Sequence, residues 1–122
     1  MEWPPWITDG LLPSFVRGLM DGDGTIGRYG EPKSVRVCFY SASEAFIVAF
    51  RDAIAPIVGT TLRIWHPSAK KTYRVLAYTR AAIRWCDWMY AGSTVETRLR
   101  RKYERYVEAR KLRVQKGLND PL

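Results

Sequence analysis

Phe15-Val-Arg-Gly-Leu-Met-Asp-Gly-Asp-Gly24 reads as an apolar helix that runs straight into two closely spaced carboxylates. Carboxylates at a helix C-terminus face the negative end of the macrodipole, an unfavourable placement by about 0.3–1 kcal/mol each. Asp21 and Asp23 therefore need a compensating cation, and a metal ion is the economical one. Gly22 and Gly24 supply the backbone freedom of a C-cap and turn.

Asp21-Gly-Asp-Gly-Thr-Ile26 also matches the centre of an EF-hand calcium loop, whose ligands recur at positions 1, 3, 5, 7, 9 and 12. The register decides against it. With Asp21 and Asp23 at positions 3 and 5, position 1 falls on Leu19 and position 12 on Gly30, so the first ligand and the bidentate acid are both missing. The bland alternative is a glycine-rich helix end with no chemistry attached.

At 122 residues, 47% hydrophobic and 13% aromatic, the chain is long enough to build one core, and a single domain over 1–122 is expected. Lys and Arg number 20 against 12 Asp and Glu, a net charge of +8. The surplus suits a polyanionic partner, most simply nucleic acid, although it would serve solubility equally well. Cys38 and Cys86 show no metal-ligand spacing and read as reduced, packed thiols. The start Met1-Glu-Trp-Pro-Pro-Trp6 has neither a basic n-region nor an apolar h-region, and no run approaches a membrane span. An intracellular protein is expected, in cytoplasm, nucleoid or organelle, not secreted and not in a membrane.

Pro4, Pro5 and Pro13 keep the first dozen residues irregular, and Ser14 or Asp9 is a candidate cap for a helix ending near Asp21. From Thr25 to Tyr29 the chain turns extended, and Gly30-Glu31-Pro32 joins it to a strand in which Val35, Val37 and Phe39 alternate with Ser34, Arg36, Cys38 and Tyr40. Ser41-Ala-Ser-Glu44 matches a capping box ahead of Phe46, Ile47, Phe50, Ile54 and Ile57, a helical spacing that stops at Gly59. Thr61 to Trp65 and Tyr73 to Tyr78 read as a second hairpin, joined by a loop carrying Lys70 and Lys71. A helix from Arg80 to Ala91 carries Ile83, Cys86 and Met89 on one stripe, with Trp85 and Trp88 packing on the sheet, and a basic helix follows from about Thr94 to Lys116. The fold class is α+β in the order αββαββα with an added C-terminal helix.

Val16-Arg-Gly-Leu-Met-Asp-Gly-Asp-Gly24 resembles the LAGLIDADG signature of homing endonucleases, departing from its commonest form at Arg17, where a small residue is more usual. The resemblance implies a DNA-cleaving enzyme whose twisted, four-stranded antiparallel sheet lies along the major groove of double-stranded DNA. Outward-parity strand residues then become readers: Tyr29, Ser34, Arg36, Tyr40, Arg63, Trp65 and Arg74, with Lys70 and Lys71 close by. Arginine takes guanine bidentately and aromatics touch thymine methyl groups. Each of these residues equally suits an ordinary solvated strand face. His66 is assigned no role.

Leu99-Arg-Arg-Lys-Tyr-Glu-Arg-Tyr106 is similar to the basic segment of compact, single-motif members of the family, in which a lysine sits near the scissile phosphate. Lys102 is carried over as that lysine, a cation that offsets phosphate charge and polarises the attacking water. Arg100, Arg101 and Arg105 become DNA backbone contacts. Nine Lys or Arg against three Glu between Thr94 and Lys116 would also describe a solvated face. The start of the second helix, where relatives place a polar, water-ordering side chain, offers only Ser41 and Ser43.

The motif occurs once, so one chain supplies one acidic cluster and cutting both strands needs two. The resemblance implies a homodimer through the first helices, with Phe15, Gly18, Leu19 and Gly22 at the interface and a pseudo-palindromic target. It also implies Mg2+ held by Asp23 and the Gly22 carbonyl, with Asp21 supporting the turn. The expectation is a Mg2+-dependent, site-specific homing endonuclease of intron or intein type. The alternatives are a non-cleaving DNA- or RNA-binding protein of the same fold, such as a regulator or splicing maturase, and an interaction module for acidic partners.

Overall fold

A computed structural model describes residues 2–29, 34–60, 62–67, 71–94 and 100–115. The elements are α1 (Leu12–Asp23), β1 (Gly24–Tyr29), β2 (Ser34–Ser41), α2 (Glu44–Val58), β3 (Ile64–Trp65), β4 (Tyr73–Tyr78), α3 (Thr79–Tyr90) and α4 (Arg100–Gln115). They form one antiparallel sheet of order β1-β2-β4-β3. The αββαββα order with a further helix is as expected. The turn at Gly30-Glu31-Pro32, Lys70 and the first part of the basic segment, residues 95–99, lie outside the described residues.

α1 starts differently from the expectation. Neither Ser14 nor Asp9 caps it; Leu11 holds the cap position, and the Thr8 carbonyl accepts from the N–H groups of Leu11 and Leu12 at 3.1 and 3.0 Å. Pro13 inside the first turn has no N–H to satisfy, which lowers the need for a side-chain cap. The helix runs to Asp23, two residues past Asp21, and β1 begins at Gly24 with no loop between. A Cβ on Gly24 would lie 2.8 Å from Met20 Cα, so only glycine lets the chain turn so tightly against the helix it has just left.

β1 and β2 pair from Gly24↔Phe39 to Tyr29↔Ser34, and β2 and β4 from Arg36↔Tyr78 to Ser41↔Tyr73. One face of the sheet is the core: Ile26, Val35, Val37, Phe39, Val75 and Ala77 are buried against Val16 and Met20 of α1, Phe46, Phe50 and Ile54 of α2, and Ile83, Trp85 and Met89 of α3. Phe39 and Phe50 stack with centroids 4.2 Å apart. Cys38 and Cys86 are free and buried, as packed thiols should be.

Two boundaries moved. The cap of α2 is Ser43, not Ser41: Ser43 Oγ accepts from Phe46 N–H at 3.2 Å, while Ser41 Oγ accepts from Ser43 N–H at 3.1 Å. Ser41 still pairs in β2, so the capping residue has to come after it. The expected strand from Thr61 shrinks to Ile64–Trp65, paired with Val75 and Arg74. Leu62 is buried in the core instead of continuing the ladder, which leaves a short edge strand.

α4 lies beside β1 and α3. Arg105 Nη1 donates to the Ile26 carbonyl at 3.0 Å, and Arg28 pairs with Glu108 at 3.5 Å, so the helix covers the β1 edge. Tyr90, Tyr103 and Tyr106 pack together beneath it. Tyr106 donates to Asp87 at 2.6 Å, and burial together with that bond pushes its phenol up. Replacing Gly24 by Ala should cost about 1–3 kcal/mol through overpacking against Met20, read as a lower urea midpoint at unchanged m-value.

Candidate functional site

At the end of α1, Asp21 is half-buried while Gly22 and Asp23 are exposed. Lys102, from the far end of the chain, reaches this point. It is only 5% exposed, and its Nζ donates to the carbonyls of Met20 and Asp21 at 2.8 and 3.1 Å. They belong to the last turn of α1, where the Met20 carbonyl also accepts the N–H of Gly24 and the helix carries no basic residue of its own. Burial lowers the proton affinity of the Lys102 amine, and the carboxylates of Asp21 and, more weakly, Asp23 oppose that. The structure thus brings Asp21, Asp23 and Lys102 together.

Among the described residues no cluster of three or more His, Cys, Asp or Glu is poised for a metal. Mg2+ keeps several waters and is usually held by one or two carboxylates plus substrate phosphates. The exposed Asp23 carboxylate and the Gly22 carbonyl offer oxygen donors only, at the helix end whose dipole favours a cation.

β1 leads from Asp23 into the outward face of the sheet. By register that face carries Thr25 and Gly27 on β1, Arg36, Cys38 and Tyr40 on β2, Arg74, Leu76 and Tyr78 on β4, and Trp65 on β3. Four expected readers, Arg36, Tyr40, Arg74 and Trp65, share it. Trp65 is 44% exposed, and the Arg74 guanidinium lies over its ring, 5.8 Å from the centroid. Tyr29 and Ser34 pair with each other at the hairpin end of the two strands. Arg63 is exposed just before β3, Lys71 is exposed before β4, and the His66 ring stacks on Tyr73 at 4.0 Å. Thr25, Leu76 and the exposed Tyr78 were not anticipated. They have the same parity as the readers, but Thr25 and Leu76 carry neither charge nor ring, and Tyr78 stands at the end of its strand.

The basic helix divides. Arg100 is exposed and bonds Glu104 at 2.8 Å, Arg101 is exposed, and Arg105 is engaged on the Ile26 carbonyl. Arg17, noted in the sequence only as a departure from the motif, is 8% exposed and donates to the Met89 carbonyl at 2.9 Å, in the last turn of α3. On the other side of α1, Leu11 (51% exposed), Phe15, Gly18 and Gly22 recur at helical spacing, with Leu19 half-buried beside them. Added Cβ atoms at Gly18 and Gly22 would meet nothing within 4 Å.

A helix that ends in Asp-Gly-Asp, passes through Gly24 directly into a four-stranded antiparallel sheet and is backed by two further helices defines a LAGLIDADG fold. The LAGLIDADG-like domain family matches residues 12–87, more than half of the chain, and the chain belongs to that family. Its structure is similar to the archaeal intron-encoded homing endonuclease I-Vdi141I complexed with DNA, at TM-score 0.61 and 11% identity over 92% of this chain and 75% of that one. It is also similar to the homing endonuclease I-TnaI, at TM-score 0.55 and 13% identity over 96% of this chain and 77% of that one. No curated protein sequence matches the chain. The family is one of nucleases that generally use a divalent metal. Among the described residues no helix is long and apolar enough to cross a membrane.

Lys102→Met should lower stability by about 2 kcal/mol, since it strips a charged donor from two carbonyls of a buried helix end, whereas Lys102→Arg should recover at least half of the loss. Equilibrium urea denaturation of the three proteins checks both expectations.

Proposed function

We propose that the protein is a Mg2+-dependent, site-specific endonuclease of the homing type, acting on double-stranded DNA as a homodimer at a pseudo-palindromic site. The observation that carries this reading is the seating of Lys102 on the Met20 and Asp21 carbonyls, in the helical turn that ends at Asp23 and opens the outward face of the sheet. In this reading the outward face lies in the major groove, and the α1 terminus rests against the backbone to be cut.

When bound, the divalent ion supplies Lewis-acid stabilisation of the attacking and leaving oxygens. Asp23 would hold it, with the Gly22 carbonyl as a further oxygen donor. Asp21 strengthens the positive charge of Lys102. An ammonium has three donors, and two of those on Lys102 go to α1 carbonyls. The third serves the attacking water or a phosphate oxygen. Tyr29, Ser34, Arg36, Tyr40, Trp65 and Arg74 are the proposed base readers, and Arg63, Lys70, Lys71, Arg100, Arg101 and Arg105 the proposed contacts to the sugar-phosphate backbone. Two copies meet along the Leu11, Phe15, Gly18, Leu19 and Gly22 face, setting one Asp23 against each strand.

Incubation of a partly randomised duplex library with Mg2+ should yield cut products at one pseudo-palindromic sequence. Asp23→Asn should slow cleavage at least about 100-fold, the effect of losing some 3 kcal/mol of transition-state stabilisation, and EDTA should abolish it. Wild-type rates in Asp23→Asn would refute the enzyme. The seat of Lys102 on helix carbonyls gives it a structural reason to exist without chemistry, which favours a non-cleaving binder as the second reading. A site-specific complex that forms equally in EDTA, with no cut products under Mg2+, would establish that one.

Gly18→Leu tests the dimer separately. The folded chain has room for the side chain, so the variant should keep its melting temperature within a few degrees yet sediment as a monomer and lose double-strand cutting. A Gly18→Leu dimer would place the interface elsewhere.

A further inference from the structure

We propose that Arg74, laid on Trp65, reads one guanine in each half of the target site, and that Trp65 sets that selectivity by holding the guanidinium in place. The inference rests on the DNA-binding reading above and sharpens it to one base contact.

Arg74 sits on β4, an interior strand, with Tyr40 of β2 opposite it on one side and Trp65 of β3 on the other. A residue in that place is framed by neighbours within the face, whereas phosphates in a groove-bound complex run along the margins. Its surroundings also differ from those of the structural arginines. Arg17, Arg84 and Arg105 each end on a backbone carbonyl. Arg74 instead lies over an indole, and its Nε is buried with no acceptor among the described residues.

A guanidinium laid on an aromatic face keeps its N–H groups in their own plane, directed outward as a flat fork. The acceptor that matches such a fork in the major groove is guanine, which presents O6 and N7 on one edge; adenine and cytosine place an amino donor there. Trp65 restrains the long side chain before DNA arrives, so less rotamer freedom is lost on binding. An exposed tryptophan on a two-residue edge strand thereby has a purpose.

The test is sequencing of duplexes bound from a randomised library in EDTA, where nothing is cut, for wild type, Arg74→Lys, Arg74→Ala, Trp65→Ala and Trp65→Phe, each checked for folding by circular dichroism. Wild type should prefer guanine about tenfold or more at one position per half-site. Both Arg74 variants should lose that preference and leave other positions unchanged; Trp65→Ala should weaken it severalfold, and Trp65→Phe should retain most of it. Should Trp65→Ala fail to fold, the Phe and Arg74 variants decide. A uniform loss of affinity in Arg74→Ala, with a salt slope shallower by about one, would make Arg74 a phosphate contact and overturn the proposal. An undiminished guanine preference in Trp65→Ala would overturn the role of Trp65. Wild-type binding without any sequence preference would instead bring down the endonuclease reading itself.

Discussion

The fold hangs on cations borrowed from elsewhere to close helix ends. α1, α2 and α3 each lack a basic residue in their last turn. Each receives one from another helix: Lys102 of α4 donates to the Met20 and Asp21 carbonyls of α1, Arg17 of α1 to Met89 of α3, and Arg84 of α3 to Val58 of α2. Every bond goes to a carbonyl in the last turn of a helix and opposes the negative end of a macrodipole. Because donor and acceptor belong to different helices, the same bonds that cap also fix how the helices sit on the sheet. A charge-assisted bond of this kind is worth about 1.5–3 kcal/mol, a sizeable share of the stability of so small a domain. Part of the +8 net charge is therefore internal, and the part that faces a partner is smaller than composition suggests.

The joint between α1 and β1 converts this scaffold into a site. With no loop between them, the residue that ends the helix and the residue that opens the sheet are neighbours in the chain. Moving α1 would move Asp23 relative to Thr25 and the whole outward face. Gly24 permits the joint by leaving space for Met20, and Lys102 pins it from outside. The outward face of the sheet and the acidic end of α1 gain a common frame in this way.

Much of this was legible because period and punctuation agree. The alternation from Ser34 to Tyr40, the helical spacing that stops at Gly59 and the stripe of Ile83, Cys86 and Met89 each have one physical interpretation, and the structure has it. The errors lie where two local signals compete. Ser41 and Ser43 both look like caps, and only the β2 ladder tells them apart. Thr61 to Trp65 looks like a five-residue strand until Leu62 is seen to belong to the core. Long-range pairings left no local trace: nothing near Arg17 announces Met89, and nothing near Arg105 announces Ile26. The family resemblance brought Lys102 to the acidic cluster but was silent about the carbonyls it binds there.

The two aspartates, similar in sequence, are unlike in the structure. Asp21 is half-buried, its backbone carbonyl taken by Lys102 and its carboxylate the largest influence favouring charge on that lysine. Asp23, two residues on, is exposed and exerts the weakest such influence. A half-buried carboxylate beside an internal cation favours the charged form of that cation, whereas an exposed one at the negative end of a helix dipole is screened by water. The pair therefore divides its work by burial. The inner acid faces the lysine that closes the helix, and the outer acid stands in solvent where the sheet begins.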